Sequence, residues 1–148
     1  MAKTHLVAVG AYVFREGRVL LLDRSEPPFT FAPPGGGLYP DEDPVAGLRR
    51  EVREETGLEI RVIGVAHTWY GAVNENRPPL LGIDYLAECD NDEVTLSEEH
   101  HGYVWATRED IAERRVRTLD ERNYGYQPKY ILDSFDLYAR LKDRMERY

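Results

Sequence analysis

Glu51, Glu54 and Glu55 stand at i, i+3 and i+4, and on a helix turning about 100° per residue that spacing puts three carboxylates on one face. Like charges so placed repel by a few tenths of a kcal/mol per pair, so something must compensate them. Carboxylate oxygens are the donors that hard divalent cations prefer, and Mg²⁺ takes only one or two from a protein, completing its shell with water and phosphate oxygens. Just upstream, Pro34-Gly35-Gly36-Gly37 can bring bare backbone against a ligand, where a carbonyl binds metal or an amide binds phosphate. The chemistry on offer is metal-assisted work on a phosphate group. Either feature alone is common, because glycine runs are usually loops and helix glutamates usually face solvent.

The elements that must position these groups follow from local signals. Asp43-Pro44 reads as a helix cap followed by a first-turn proline and Gly57 as a stop, so the spacing predicts a helix over Pro44 to Thr56. Val45, Leu48 and Val52 give it an apolar stripe beside the carboxylates, and Gly47 leaves space one turn before Glu51. Leu6 to Phe14 and Val19 to Leu22 form a hairpin across a turn containing Gly17. Pro27 to Pro40 excludes regular structure apart from a short edge segment around Phe29 to Ala32. Leu58 to Ala66 and Pro79 to Cys89 read as strands around a polar loop, Ala72 to Pro78, with Tyr103 to Ala106 a further short strand. Thr107 and Asp110 suit a capping box opening a helix to Arg115, and Ile131, Phe135, Tyr138, Leu141 and Met145 mark one face of a helix from Pro128 to the end. The sum is an α/β (α+β) sandwich with a mixed central sheet, one domain over residues 1–148.

Composition narrows the partners. The chain has 148 residues with 27 Asp and Glu against 19 Lys and Arg, a net charge of -8, which repels duplex DNA. The start of the chain, Met1 to His5, shows no secretory signal, and the uncharged stretch Pro27 to Pro40 is too rich in Pro and Gly to cross a bilayer. Cys89 is the single cysteine, so a reducing cytoplasm is the expected compartment, with no membrane contact.

Read together, Gly36, Glu42, Arg50, Glu51, Val52, Glu54, Glu55, Gly57 and Leu58 satisfy G-x5-E-x7-R-E-U-x-E-E-x-G-U, where U is aliphatic. Nine specified positions within 23 residues make a chance match far less probable than a lone short glycine motif. The chain resembles the Nudix hydrolases (MutT-like), and the resemblance implies their α/β/α sandwich, with this catalytic loop–helix–loop and a C-terminal helix. It further implies hydrolysis of a pyrophosphate bond in a nucleotide or a nucleoside diphosphate linked to another moiety, with Mg²⁺ or Mn²⁺ as cofactor. By that resemblance Glu54, Glu55 and the Gly35 carbonyl are metal ligands, and Glu51 is a further ligand or the general base. Arg50 would hold a neighbouring carboxylate, and Glu42 would brace the loop–helix junction. A later carboxylate is expected from Ser97-Glu98-Glu99-His100-His101, with Glu99 preferred to Glu98 as ligand or base and both histidines read as surface residues. Family members often dimerise, and the amphipathic terminal helix suits either packing or association.

For the substrate, Arg24 could face a phosphate, and Phe29, Tyr39, Trp69, Tyr70, Tyr85, Tyr103, Tyr124 and Tyr126 are candidates to stack on a base; most of them suit core or strand packing as well, and the last two, which flank Gly125 in a polar connection, are the most suggestive. A reading from a different class remains, a noncatalytic Nudix-like ligand sensor or interaction domain, against which the complete carboxylate set stands. The expected partners are a small nucleotide or nucleoside diphosphate derivative and, where the chain dimerises as the resemblance allows, a second copy of itself.

Overall fold

The computed structural model describes residues 3–147; Met1, Ala2 and Tyr148, which belong to the amino-terminal stretch and helix end considered above, lie outside the described residues. In chain order the elements are β1 (Val7–Arg15), β2 (Arg18–Arg24), β3 (Phe31–Ala32), β4 (Gly35–Gly37), α1 (Pro44–Thr56), β5 (Ile60–Gly71), β6 (Leu80–Cys89), β7 (His100–Thr107), α2 (Arg108–Ala112) and α3 (Pro128–Glu146). The sheet runs β3-β2-β1-β6-β5, with β4 also on β1 and β7 also on β2. Of these pairings only β1 with β6 is parallel, so the sheet is mixed, as expected.

Alternation along β1 explains the layers. Val9, Ala11 and Val13 point one way, packing with Leu48 and Val52 of α1, while Tyr12 and Phe14 point the other way, against Ile131 and Phe135 of α3. α1 therefore covers one face of the sheet, and α3 with α2 beside it covers the other. α1 begins where its signals placed it: the Asp43 carboxylate accepts from the Ala46 N–H at 3.0 Å. Gly57 ends it in the left-handed region at φ 74°, which its lack of a Cβ makes inexpensive. The Thr107–Asp110 capping box is present, but α2 stops at Ala112 rather than Arg115.

Four further expectations are corrected. The glycine run is not wholly irregular: Gly35 to Gly37 pair with Gly10, Val9 and Ala8 as β4, held by the β1 backbone rather than by any propensity of glycine. The strand expected to end at Ala66 continues to Gly71 because His67 to Gly71 pair with β6 from Asp84 to Leu80. The strand expected at Tyr103 to Ala106 begins at His100. Met145 leaves the packed face of α3 and is 53% exposed. Strand β5 lies at the sheet edge and carries two register shifts, at Val62/Gly64 and Val65/His67, each an extra residue that bends the strand. Among the described residues no helix is long and apolar enough to cross a membrane.

Candidate active site

The nine motif positions build one corner of the molecule. Arg50 reaches back to the loop before its own helix and grips Glu42 with both arms, Nε to Oε2 at 2.7 Å and Nη2 to Oε1 at 2.8 Å. Its remaining Nη1 donates to Glu51 at 3.1 Å and Glu54 at 3.2 Å. One guanidinium thus ties three carboxylates and fixes the loop to the helix, a two-pronged geometry that a lysine cannot copy. Gly36 has no side chain because Glu51 occupies the place: a Cβ there would lie 2.6 Å from the Glu51 carboxyl carbon. The space expected beside Gly47 is filled in the same way, by Leu38 and Glu42.

Glu55 is the deepest of the motif acids, 5% exposed. Its Oε1 accepts from the Gly35 N–H at 2.7 Å, and Oε2 lies 3.4 Å from Nε2 of His100. Burial pushes its pKa up to about 8, against the pull of the Gly35 amide, with Glu51 and Glu99 adding to the rise. Glu51 is also raised by burial, with Arg50 opposing. Burial holds His100 below its ordinary value. The carboxylate face is therefore short of positive charge where it is deepest.

Glu55, Glu99 and His100 offer donor atoms within 4.8 Å of one another. Two carboxylates and an imidazole form a donor set that suits a divalent cation, and a cation is what a buried carboxylate of raised pKa lacks. These groups open on a cleft of about 630 Å³, lined at this end by Gly35 to Gly37, Glu51, Glu55, Glu99 and His100, and at the other by aromatic side chains of β5 and the segment before α3.

A family model described as NUDIX domain matches residues 4–126. The chain belongs to the Nudix hydrolase family. Similar proteins include a MutT-like protein of Streptomyces ambofaciens, 31% identical over 122 residues that cover 78% of this chain and 76% of that one. Another is the asymmetrical bis(5'-nucleosyl)-tetraphosphatase of Mus musculus, 33% identical over 98 residues, 64% of this chain and 67% of that one. Among solved structures, the MutT protein of Methanosarcina mazei Go1 superposes with a TM-score of 0.70 at 29% identity, over 95% of this chain and 96% of that one. A C. elegans Ap4A hydrolase binary complex gives 0.71 at 25% identity, over 91% and 98%. Nudix hydrolases generally use divalent metals, in keeping with the acidic cluster.

Within this Nudix site, not every residue singled out by sequence comes to the cleft. Glu51, Glu55, Glu99, Gly35, Arg24, Tyr124 and Tyr126 line it, whereas Glu98 does not. Glu54 is a little over half exposed and stays on the outer side of α1 under Arg50. Tyr39 also lies outside the cleft; its ring packs on the Arg50 guanidinium at 4.3 Å, and its N–H donates to Glu42. Arg24 gives two of its donors to the carbonyls of Pro27 and Pro28 at 3.2 Å. Tyr126 hydrogen-bonds Asp84 rather than presenting a free hydroxyl. The main residue missed is His100: read as a surface histidine, its side chain is only 9% exposed and faces Glu55. His67 and Asp84 were also missed, although the β-favouring run Thr68-Trp69-Tyr70 was a signal that β5 continued; of the other aromatic candidates, Trp69 and Tyr70 line the cleft.

Proposed function

We propose that this Nudix hydrolase uses Mg²⁺ or Mn²⁺ to cleave a pyrophosphate bond in a small nucleotide derivative, with Glu55 and Glu99 as the principal metal-binding side chains. The observation that carries this reading is the convergence of Glu51, Glu55 and Glu99 on the Gly35–Gly37 strand in one cleft, with Glu55 buried and held by the Gly35 amide. A divalent ion bound there would neutralise pyrophosphate oxygens and lower the pKa of a bound water. The Gly35 carbonyl extends this ligand set, and Glu54, held by Arg50 outside the cleft, would join it by leaving that contact. Glu51, half-buried and raised by its burial, is suited to accept the proton of the attacking water. Arg50 keeps Glu51 oriented while Glu42 keeps Arg50 oriented.

The names of relatives, tetraphosphatases acting on bis(5'-nucleosyl) compounds and nucleoside triphosphatases, support a nucleotide substrate. A net charge of -8 supports small-molecule rather than duplex nucleic-acid binding, and the free buried thiol of Cys89 supports a reducing, cytoplasmic setting. The test is a hydrolysis panel of nucleoside triphosphates, ADP-ribose, nucleotide sugars and dinucleoside polyphosphates, with products resolved by chromatography. Turnover in Mg²⁺ or Mn²⁺ that stops in chelator is expected. Nucleotide binding by calorimetry without turnover of any panel member would replace the enzyme reading by that of a sensor.

A further inference from the structure

At the far end of the cleft lies a polar cluster that the hydrolytic chemistry does not use. Asp84 on β6 is 1% exposed, yet both of its oxygens are engaged. Oδ1 accepts from the Tyr126 hydroxyl at 2.9 Å; Oδ2 accepts from the Trp69 indole N–H at 3.1 Å and lies 3.4 Å from His67 Nε2. The Tyr12 hydroxyl closes the group, 2.8 Å from that same His67 nitrogen. A carboxylate buried so fully costs several kcal/mol by order of magnitude unless its partners are well placed, and here they come from β5 and from the segment before α3, with Tyr12 of β1 supporting His67. The sheet makes room for them: a side chain at Gly10 would overlap Asp84, and one at Gly82 would overlap the Trp69 ring.

The cluster holds aromatic groups at the cleft. His67, Trp69, Tyr126 and Tyr130 all line it, and Tyr130 stacks on His67 with centroids 5.1 Å apart. The spacing to the carboxylates follows from register. Gly35, Gly10, Asp84 and His67 are successive lateral partners on β4, β1, β6 and β5. With strands about 4.8 Å apart, Asp84 lies ~10 Å and His67 ~14 Å across the sheet from Gly35, which touches Glu55. One nucleoside with a short phosphate chain bridges such a gap. The cations are few: the cleft is lined by Arg24 and Arg77 and by no lysine among the described residues. Arg24 gives two of its donors to backbone carbonyls and Arg77 pairs with Glu26 at 3.6 Å, so beyond the carboxylate end the cleft offers two guanidinium charges, a number that suits a short phosphate chain.

We propose that Asp84 is a positioning residue that fixes Trp69 and Tyr126 as walls of a subsite for an aromatic heterocycle, so that the cleft selects nucleoside derivatives with a short phosphate chain over phosphate compounds without a ring to stack. The proposal rests on the hydrolytic reading for the placement of phosphate at Glu51 and Glu55. Stacking on aromatic faces supplies affinity without demanding one base.

The chain has two tryptophans, so Trp105→Phe leaves Trp69 as the only indole reporter. ADP is expected to quench its emission and inorganic pyrophosphate is not. Asp84→Asn should weaken ADP binding about tenfold, the loss expected when hydrogen bonds to a charged acceptor are disturbed. It should also raise KM for the hydrolysed nucleotide similarly, with kcat little changed. Tyr126→Phe removes one hydroxyl from Asp84 while keeping the ring, and should move KM and ADP affinity the same way by less; it carries the test if Asp84→Asn does not fold. Equal quenching by pyrophosphate and ADP, or unchanged ADP affinity and KM in Tyr126→Phe and in folded Asp84→Asn, would overturn the proposal while leaving the hydrolase reading intact. Conversely, Asp84-dependent binding of ADP in a protein that hydrolyses no panel member would uphold the subsite and remove the hydrolytic reading.

Discussion

Replacing Glu55 by Gln should make the metal-free protein more stable at alkaline pH and inactive as a hydrolase. In the folded chain the Glu55 pKa is pushed up to about 8 from an ordinary value of 4.5. Between those values the folded state retains a proton that the unfolded state has released, so stability falls as pH rises, by about 1.4 kcal/mol per pH unit. By pH 7 the accumulated loss is about 3 kcal/mol, and it levels off above pH 8, once Glu55 ionises in both states. In Glu55→Gln the amide oxygen still accepts from the Gly35 N–H and the side chain carries no charge, so the loss disappears. In a chain of this length 3 kcal/mol corresponds to a Tm difference on the order of 10 °C. The assay is thermal melting of both proteins in EDTA from pH 5 to pH 8.5, beside hydrolysis in Mg²⁺. Wild type should lose Tm across that range relative to Glu55→Gln, and the variant's activity should fall at least about a hundredfold, since even partners that only orient a metal ligand are worth 10- to 100-fold. Parallel Tm curves for the two proteins would refute the account of Glu55 as an uncompensated buried acid.

Other positions test the rest of the corner. Gly36→Ala places a methyl against the Glu51 carboxylate and should weaken Mn²⁺ binding in calorimetry and lower kcat, with α1 intact by circular dichroism. Arg50→Lys retains charge but not the two-armed grip on Glu42 together with the bonds to Glu51 and Glu54; kcat should fall more than KM changes, whereas equal kinetics would show that a point charge suffices. Gly57→Ala forces a Cβ into the left-handed region at φ 74° and should cost about 1 kcal/mol in urea unfolding, with activity per folded molecule preserved.

What was legible in the sequence was local. The bounds of α1 follow from Asp43, Pro44 and Gly57, all within a turn of the groups they serve, and the carboxylate face follows from helical spacing alone. Even the seven-residue gap between Glu42 and Arg50 has a direct structural meaning, because the loop folds back so that the two meet side by side. What was not legible depends on pairing between distant strands. β4 exists because β1 offers it backbone partners, and three glycines announce no strand. His100 joins Glu55 across 45 residues only because β7 pairs with β2 and starts beside the cleft. Asp84, one of seven acids between positions 84 and 99 with no Lys or Arg among them, looks like part of a charged stretch until register places it under Trp69 and Tyr126.

The irregular edge strand has an evolutionary consequence. Because side chains alternate across a sheet, sliding the His67–Gly71 part of β5 by one residue against β6 would turn His67 and Trp69 to the opposite face. That change would leave α1, the Gly35–Gly37 strand and the Glu42–Arg50 clamp untouched, since none of them pairs with this part of β5. A one-residue slip of the edge strand is thus a route by which a lineage could exchange what the enzyme recognises while inheriting the motif corner unaltered. The edge strand is free to drift in a way that the helix, with nearly every motif position committed to a neighbour, is not.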